Sequence, residues 1–163
     1  MIRVGIFGGS GYTGRELLYI LSKHDKIDLV FVASSGFANQ KIKDVFPFLR
    51  WDMVFLDYDS ALKIKDVDVV FLATPDRVSM EYGYLYWKAG VKVIDLSGAY
   101  RLKDADIFFK YYGFEHKYAE LLDKAVYGLP ELYKEEIEVA DLVANPGCYA
   151  IASILSLYPL LLE

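Results

Sequence analysis

The chain has 163 residues, which is enough to bury one hydrophobic core and too few for two domains of ordinary size. Charged residues make up 25% of the sequence and apolar residues 55%, a composition typical of a folded domain and not of a disordered chain. The net charge of −5 without a basic stripe argues against a nucleic-acid partner, and no apolar run reaches the roughly 18 residues of a membrane span.

Strands and helices alternate through the first part of the chain. Short runs of branched apolar residues predict buried strands at residues 2–7, 29–33, 68–73 and 91–96. Helical periodicity predicts helices at residues 12–22 and 78–89. The expected fold class is therefore α/β, with a Rossmann-like, doubly wound parallel sheet of about six strands. The N-terminus enters the first strand without a signal-peptide profile, so a cytoplasmic location is expected.

The later part of the chain is less regular. Residues 103–124 are rich in Phe and Tyr, which indicates a long functional loop with short helical pieces. Residues 137–144 resemble a further strand, and residues 149–157 a final helix that breaks near Pro159. The last residues are apolar where a natural end is more often polar, so we expect an interrupted chain.

A glycine-rich turn follows the first predicted strand directly and opens the first predicted helix. Residues 9–14 match the pattern G-x-G-x-x-G, in which glycine allows a tight turn and lets backbone N–H groups approach a pyrophosphate. The alternative is that the glycines only serve close packing of the helix on the strand. The candidate cofactor-binding residues are Gly8, Gly9, Ser10, Gly11, Tyr12, Thr13 and Gly14.

The end of the second predicted strand bears on the choice of cofactor. An NAD site usually places an acid there to bind the ribose 2′-hydroxyl, whereas this strand ends in Ser34 and Ser35. Two hydroxyls without a carboxylate favour a 2′-phosphate, with Lys41 close enough in sequence to add charge. NADP is the expected cofactor, although the same residues could form a plain loop.

The only cysteine, Cys148, follows Asn145-Pro146-Gly147 between a predicted strand and a predicted helix. A helix N-terminus stabilises a thiolate and supplies free N–H groups for an oxyanion, and both serve acyl transfer. The alternative is a small packed apolar residue. A single cysteine excludes an internal disulfide and a cysteine-based metal cluster, and we expect no metal site.

Five segments carry a resemblance to a known family. They are residues 8–14, 93–97, 112–116, 127–132 and 145–149. In this order they resemble N-acetyl-gamma-glutamyl-phosphate reductases, which are related to the aspartate-semialdehyde dehydrogenases. The last segment matches the family's catalytic signature, which implies that Cys148 is the catalytic residue.

The resemblance implies an activity and a site. The thiolate of Cys148 would attack an acyl phosphate and expel phosphate, and hydride from NADPH would reduce the resulting thioester to a semialdehyde. This is the reduction of N-acetyl-gamma-glutamyl phosphate in arginine biosynthesis. Residues that match positions near the substrate phosphate are Ser97, Arg101 and Asn145.

The resemblance also implies a domain organisation. Residues 1–147 would form the dinucleotide-binding domain, and residues 148–163 a cysteine-bearing helix that leads to a second, substrate and dimerisation domain absent from this chain. The missing part would carry the histidine that acts as acid and base. We therefore expect this chain alone to be inactive and the full-length enzyme to be a homo-oligomer.

Several positions depart from the family's pattern. Residues 74–77 read Thr-Pro-Asp-Arg in place of Leu-Pro-His-Gly, the loop at Ser35 lacks an arginine, and residues 98–101 read Gly-Ala-Tyr-Arg in place of Ala-Asp-Phe-Arg. Of the two histidines, His24 is expected at the surface and His116 near the cleft, and neither is taken as the missing base.

Two alternatives to this function remain open. A reductase for a carrier-protein-linked aminoadipyl phosphate in lysine biosynthesis shares the same motifs. A non-catalytic nucleotide-binding module would keep the sheet and the glycine turn without turnover. The reactivity of Cys148 separates a catalytic chain from the second alternative.

Overall fold

The computed structural model describes residues 1–162 and contains one six-stranded sheet in the order β2-β1-β3-β4-β6-β5. All its strand pairs are parallel. The strands are β1 Ile2–Phe7, β2 Ile27–Ala33, β3 Val69–Leu72, β4 Lys92–Asp95, β5 Val126–Tyr127 and β6 Leu142–Ala144. The helices are α1 Tyr12–Leu21, α2 Ile42–Val45, α3 Tyr58–Leu62, α4 Asp76–Lys88, α5 Ala105–Tyr112, α6 Pro130–Val139 and α7 Cys148–Leu161. This confirms the expected doubly wound α/β fold.

The side chains of the central strands alternate between two hydrophobic clusters, one on each face of the sheet. In β1, Val4 and Ile6 belong to the cluster that Leu18 of α1 covers. Phe7 points to the other cluster, which includes Tyr86 of α4. Burial on both faces explains why the strands are continuous apolar runs in the sequence.

Two sequence predictions in the later part of the chain are wrong. Residues 137–144 are not one strand, because the helix α6 extends to Val139 and only Leu142–Ala144 joins the sheet. Pro130 at the start of α6 favours helix there, since a missing N–H costs nothing at that position. The final helix does not break near Pro159, because α7 continues through it to Leu161. Pro159 lies in the last turn of α7, where only one helical hydrogen bond is lost.

The aromatic segment contains more helix than expected. It includes the eight-residue helix α5 and a short 3-10 turn at Ala119–Leu121. Asp104 caps α5 by accepting from the N–H of Ile107 at 2.8 Å, and Gly113 ends it with a left-handed φ of 73°. No helix within residues 1–162 combines the length and the apolar character that crossing a membrane requires.

Candidate active site

The carboxyl ends of four neighbouring strands lie in one row. Phe7 pairs with Leu72, Leu72 with Asp95, and Asp95 with Ala144. Four segments therefore leave the sheet at one edge, namely the glycine turn, residues 73–76, residues 96–101 and residues 145–148. The first and last strands of the row are separated by three strand spacings, or roughly 14 Å. β1 lies between β2 and β3, so the glycine turn stands at the topological switch point.

Three glycines of the turn are required by packing. A β-carbon on Gly8 would lie 2.1 Å from the carbonyl oxygen of Ala73, and the φ of Gly8 is +79°. A β-carbon on Gly9 would lie 2.1 Å from Cγ1 of Val32, and one on Gly14 would lie 2.3 Å from the carbonyl oxygen of Gly8. These distances are far below van der Waals contact. A side chain at Gly8 would collide with the segment after β3, and one at Gly9 would collide with β2. At Gly14, the missing side chain lets α1 approach the turn.

Gly11 is different from these three. Its φ is −73°, and a β-carbon there would meet only the carbonyl oxygen of Gly8 at 3.5 Å, an ordinary contact. Neither backbone conformation nor packing within residues 1–162 therefore requires glycine at this position. Gly11 is also the N-cap of α1 and has no side chain to accept from the first N–H groups.

A depression of about 280 Å³ adjoins Gly11. It is lined by Ser10, Gly11, Tyr12, Arg15 and Phe46. A pyrophosphate can approach the backbone closely only where there is open space and no side chain. Gly11 meets both conditions, although the fold itself does not require glycine there. Sequence reasoning missed Arg15, whose guanidinium pairs with Glu16 at 2.7 Å and lies 5.8 Å from the ring of Tyr12.

The three residues expected at the ribose occupy different environments. Ser34 is fully buried, and its Oγ lies 2.6 Å from Oγ of Ser10 and accepts from the N–H of Phe37 at 3.1 Å. Ser35 is exposed beside it. Lys41 lines a separate groove of about 370 Å³ along β2, together with Asp52. The structure thus brings Ser34 to the glycine turn and places Lys41 along β2.

Cys148 is exposed and forms the first residue of α7. The preceding Gly147 is the N-cap and offers no side chain to the free N–H groups of the first turn. The thiol of Cys148 therefore lies at the positive end of a helix, as the sequence predicted. The apolar side chains that follow it in α7 are largely exposed, among them Tyr149, Leu157, Leu160 and Leu161.

Arg101 joins two of the four segments. Its Nε donates to the carbonyl oxygen of Asn145 at 2.8 Å, and its Nη2 donates to the carbonyl oxygen of Leu96 at 3.1 Å. A β-carbon on Gly147 would lie 3.3 Å from Nη1 of Arg101. The guanidinium therefore lies against the residue that precedes Cys148, with Nη1 on the side of the helix N-terminus.

The loop at residues 97–101 is held from several sides. Asp76, at the start of α4, accepts from the N–H of Gly98 at 2.6 Å. The ring of Tyr112 covers Gly98, where a β-carbon would lie 2.3 Å from the Tyr112 hydroxyl. The hydroxyl of Tyr100 donates to the carbonyl oxygen of Met80 at 2.6 Å. Asp76 thus has a structural partner at one of the positions where this chain departs from the family's pattern.

The two histidines occupy contrasting positions. His24 is exposed just after α1, as expected. His116 is buried, with its ring edge-on to those of Tyr100 and Phe108 at 5.2 and 5.1 Å. Burial lowers the pKa of His116 below its usual range, so the ring is neutral at neutral pH. This histidine supports the 97–101 loop from behind.

Asp95 is the polar residue of this edge that sequence reasoning overlooked. Its side chain is fully buried at the end of β4. Removal from water raises the pKa of its carboxyl to about 6, although hydrogen bonds from Ser97 and the charge of Arg101 oppose that rise. The signal in the sequence that could have identified Asp95 is that a charged residue stands at the end of a mainly apolar predicted strand.

A parallel, doubly wound sheet with a glycine turn at its switch point and an open N-terminus on the following helix defines a dinucleotide-binding domain. The family model described as "Semialdehyde dehydrogenase, NAD binding domain" matches residues 3–140. The chain belongs to this family.

The relatives confirm the resemblance drawn from the motifs. An N-acetyl-gamma-glutamyl-phosphate reductase of Halothermothrix orenii is 44% identical over 165 residues, which cover 100% of this chain and 48% of the relative. A [LysW]-L-2-aminoadipate/[LysW]-L-glutamate phosphate reductase of Sulfurisphaera tokodaii is 48% identical over 162 residues, which cover 98% of this chain and 46% of the relative. The chain therefore spans about half the length of the curated relatives it matches.

The fold is also found in solved structures. Aspartate semialdehyde dehydrogenase with NADP from Candida albicans has a TM-score of 0.69 and 19% sequence identity, and the match covers 98% of this chain and 46% of that one. At this identity the likeness establishes the fold alone.

Proposed function

We propose that this chain is the NADP-binding part of an acyl-phosphate reductase that works through a thioester on Cys148. The observation that carries the proposal is the position of Cys148. Its exposed thiol lies at the N-terminus of α7, on the same sheet edge as the glycine turn, and it directly follows Gly147, against which the Arg101 guanidinium lies. A nucleophile, a cation and a dinucleotide site in one row are what covalent acyl reduction needs.

The residues of the edge have separate roles in this reaction. The thiolate of Cys148 attacks the acyl carbon, the bond to phosphate breaks, and phosphate leaves with the electron pair. Free N–H groups at the start of α7 stabilise the oxyanion of the tetrahedral intermediate. When bound, NADPH supplies the hydride that converts the thioester to the aldehyde and releases the thiolate.

Arg101 is suited to the leaving phosphate. Two of its donors hold the main chain at Asn145 and Leu96, which fixes the guanidinium plane. The remaining N–H groups on Nη1 face the start of α7 and can bind phosphate oxygens. The hydroxyl of Ser97 donates to Asp95, so its contribution to phosphate binding is to shape the loop.

The dinucleotide fits the glycine turn. Gly11 leaves free the space that a side chain would occupy, and the N–H groups of α1 point to it. Ser34 and Ser35 directly follow β2 and provide no carboxylate, which favours the 2′-phosphate of NADP over the bare hydroxyl of NAD. We assign Ser35, which is exposed, as the hydroxyl that meets this phosphate.

The proposed substrate is N-acetyl-gamma-glutamyl phosphate, in arginine biosynthesis, as the name of the Halothermothrix orenii relative suggests. The second candidate is a carrier-linked aminoadipyl or glutamyl phosphate, which the name of the Sulfurisphaera tokodaii relative favours. We further propose that residues 1–147 form the cofactor domain, and that residues 148–163 lead into the substrate domain of a homo-oligomeric enzyme.

The rate at which iodoacetamide alkylates Cys148 at about pH 7 tests this proposal. Because the chain has a single cysteine, every modification reports on this residue. We expect alkylation at least about tenfold faster than that of a cysteine-containing model peptide, since the thiolate is the reactive form and a helix N-terminus stabilises it. We also expect NADP⁺ and sulfate to slow the reaction. Alkylation no faster than that of the peptide would reject the catalytic assignment and favour a binding module.

A further inference from the structure

The carboxylate of Asp95 organises the loop that carries Arg101. Its Oδ1 accepts from the N–H of Ser97 at 3.0 Å, and its Oδ2 accepts from the hydroxyl of Ser97 at 2.9 Å. The hydroxyl oxygen of Ser97 in turn accepts from the N–H of Ala99 at 3.0 Å. A chain of three hydrogen bonds thus runs from a buried carboxylate into the turn.

The main chain of Asp95 holds the other half of the site. Its carbonyl oxygen accepts from the N–H of Asn145 at 2.8 Å, and the carbonyl oxygen of Asn145 accepts from Nε of Arg101 at 2.8 Å. Asp95 is therefore connected to the start and to the end of the segment that bears Arg101, and to the segment that bears Cys148.

The backbone N–H groups at the start of the 97–101 loop already donate hydrogen bonds within the protein. Those of Ser97, Gly98 and Ala99 donate to Asp95, Asp76 and the Ser97 hydroxyl respectively. The loop therefore has no free N–H from these three residues to offer an anion. Its contribution to anion binding depends on where it places the guanidinium of Arg101.

We propose that Asp95 is a positioning residue for phosphate recognition, which acts through Ser97 to hold Arg101 beside the N-terminus of α7. The inference rests on the proposed function, because it assumes that an anion binds at Arg101. It adds a role for a residue whose side chain is fully buried.

The alternative to positioning is a purely electrostatic influence, and the two predict opposite results. The charged and titratable groups that face Asp95 are Arg101 and Tyr100, and Ser79 of α4 adds a hydroxyl. A buried negative charge close to Arg101 weakens anion binding by charge alone. Removing the charge should therefore tighten anion binding if Asp95 acts only electrostatically, and should weaken it if Asp95 positions the loop.

Sulfate is a suitable probe because, unlike phosphate, it stays a dianion between about pH 5 and 8. At each pH, the rate of Cys148 alkylation with sulfate is divided by the rate without sulfate. The sulfate concentration at which this ratio falls to one half reports the sulfate affinity. For Asp95→Asn we expect sulfate affinity to fall at least about fivefold. An unchanged or higher affinity in a folded Asp95→Asn chain would overturn the inference.

Three more variants separate positioning from general damage. Ser97→Ala should weaken sulfate to a similar degree, and the double variant should be no weaker than either single one, because both act through one chain of hydrogen bonds. Additive losses would overturn the role of Ser97. Asp141→Asn removes an exposed charge at the opposite end of the sheet, beside the start of β6, and should leave sulfate affinity unchanged.

The pH dependence gives a readout that needs no variant. In the native chain the sulfate affinity should decline as pH falls through the range in which Asp95 takes up a proton, and Asp95→Asn should lack this decline. If Asp95→Asn fails to fold, a flat profile in the native chain still overturns the inference. If sulfate gives no protection of the native chain at any pH, the phosphate site of the proposed function fails, and this inference fails with it.

Discussion

Nε of Arg101 lies 2.8 Å from the carbonyl oxygen of Asn145, three residues before Cys148 along the chain. This hydrogen bond joins the loop after β4 to the loop after β6. Two residues that are far apart in sequence thus bring a cation to the start of the helix that bears the thiol. The geometry depends on the flat, branched shape of the guanidinium and not on its charge alone.

Arg101→Lys should therefore keep the charge and lose the site. Lysine cannot donate in two fixed directions to Asn145 and Leu96, so we expect sulfate protection of Cys148 to weaken about five- to tenfold. Arg50→Lys is the matched control, because Arg50 is exposed and lines a different depression. Equal protection in Arg101→Lys and the native chain would show that the anion does not rely on this guanidinium.

The glycines of the turn should divide into two groups when replaced. Gly11→Val should reduce NADPH affinity more than about tenfold while the thermal midpoint changes little, because its side chain enters only the space left for the pyrophosphate. Gly14→Ala should destabilise the fold by about 1–3 kcal/mol, since its β-carbon would meet the carbonyl oxygen of Gly8 at 2.3 Å. Fluorescence titration and thermal unfolding measure the two effects. Unchanged NADPH affinity in Gly11→Val would place the cofactor elsewhere.

The preference for NADP should depend on the missing acid at the end of β2. We expect the native chain to bind NADPH more tightly than NADH in parallel titrations. Ser35→Asp introduces a carboxylate at an exposed position, which should repel the 2′-phosphate and accept the 2′-hydroxyl, so the preference should reverse. Ser35→Asn is the neutral control. A native chain that favours NADH would contradict the assignment.

The stability of the chain should depend on Asp95 in a defined pH range. The folded state raises the pKa of Asp95 from its ordinary 3.8 to about 6, so the folded chain binds the proton more strongly than the unfolded chain. The resulting stabilisation is complete below about pH 4 and is lost as pH rises through about 6, with a total on the order of 2–3 kcal/mol. Urea unfolding gives the free energy of unfolding of the native chain and of Asp95→Asn at about pH 5 and 8. Between these two values, the native chain should lose more stability than Asp95→Asn as the pH rises. A constant difference between the two would contradict the shifted pKa.

The chain of 163 residues should bind NADPH without catalysing steady-state turnover. A general acid or base typically contributes about 10² to 10⁴-fold to a rate, and neither histidine is placed for that role, because His24 is exposed after α1 and His116 is buried. The assay is phosphate-dependent oxidation of the semialdehyde, followed by NADPH absorbance, with a longer relative as control. Turnover near the relative's rate would show that these residues suffice.

The sequence by itself determined the parallel α/β fold class, and it placed the glycine turn and Cys148 each between a strand and a helix. Continuous apolar runs predict strands buried on both faces, and the glycine turn and the Cys148 segment are local patterns whose context is readable from neighbouring residues. The helix α6 escaped prediction because its apolar positions fall close to those of a strand over so short a segment. The continuation of α7 through Pro159 escaped because proline was read as a break.

Only the tertiary structure decided which residues act together. The pairing order of the strands brings Asp95, Arg101 and Asn145 to one edge, and no local pattern encodes a hydrogen bond between residues 101 and 145. It also showed that Gly11 alone among the turn glycines faces open space, and that the Ser97 hydroxyl is committed to Asp95. The physical reason is that such contacts depend on the distances between strand ends, which are set by packing of the whole sheet and not by neighbours in the chain.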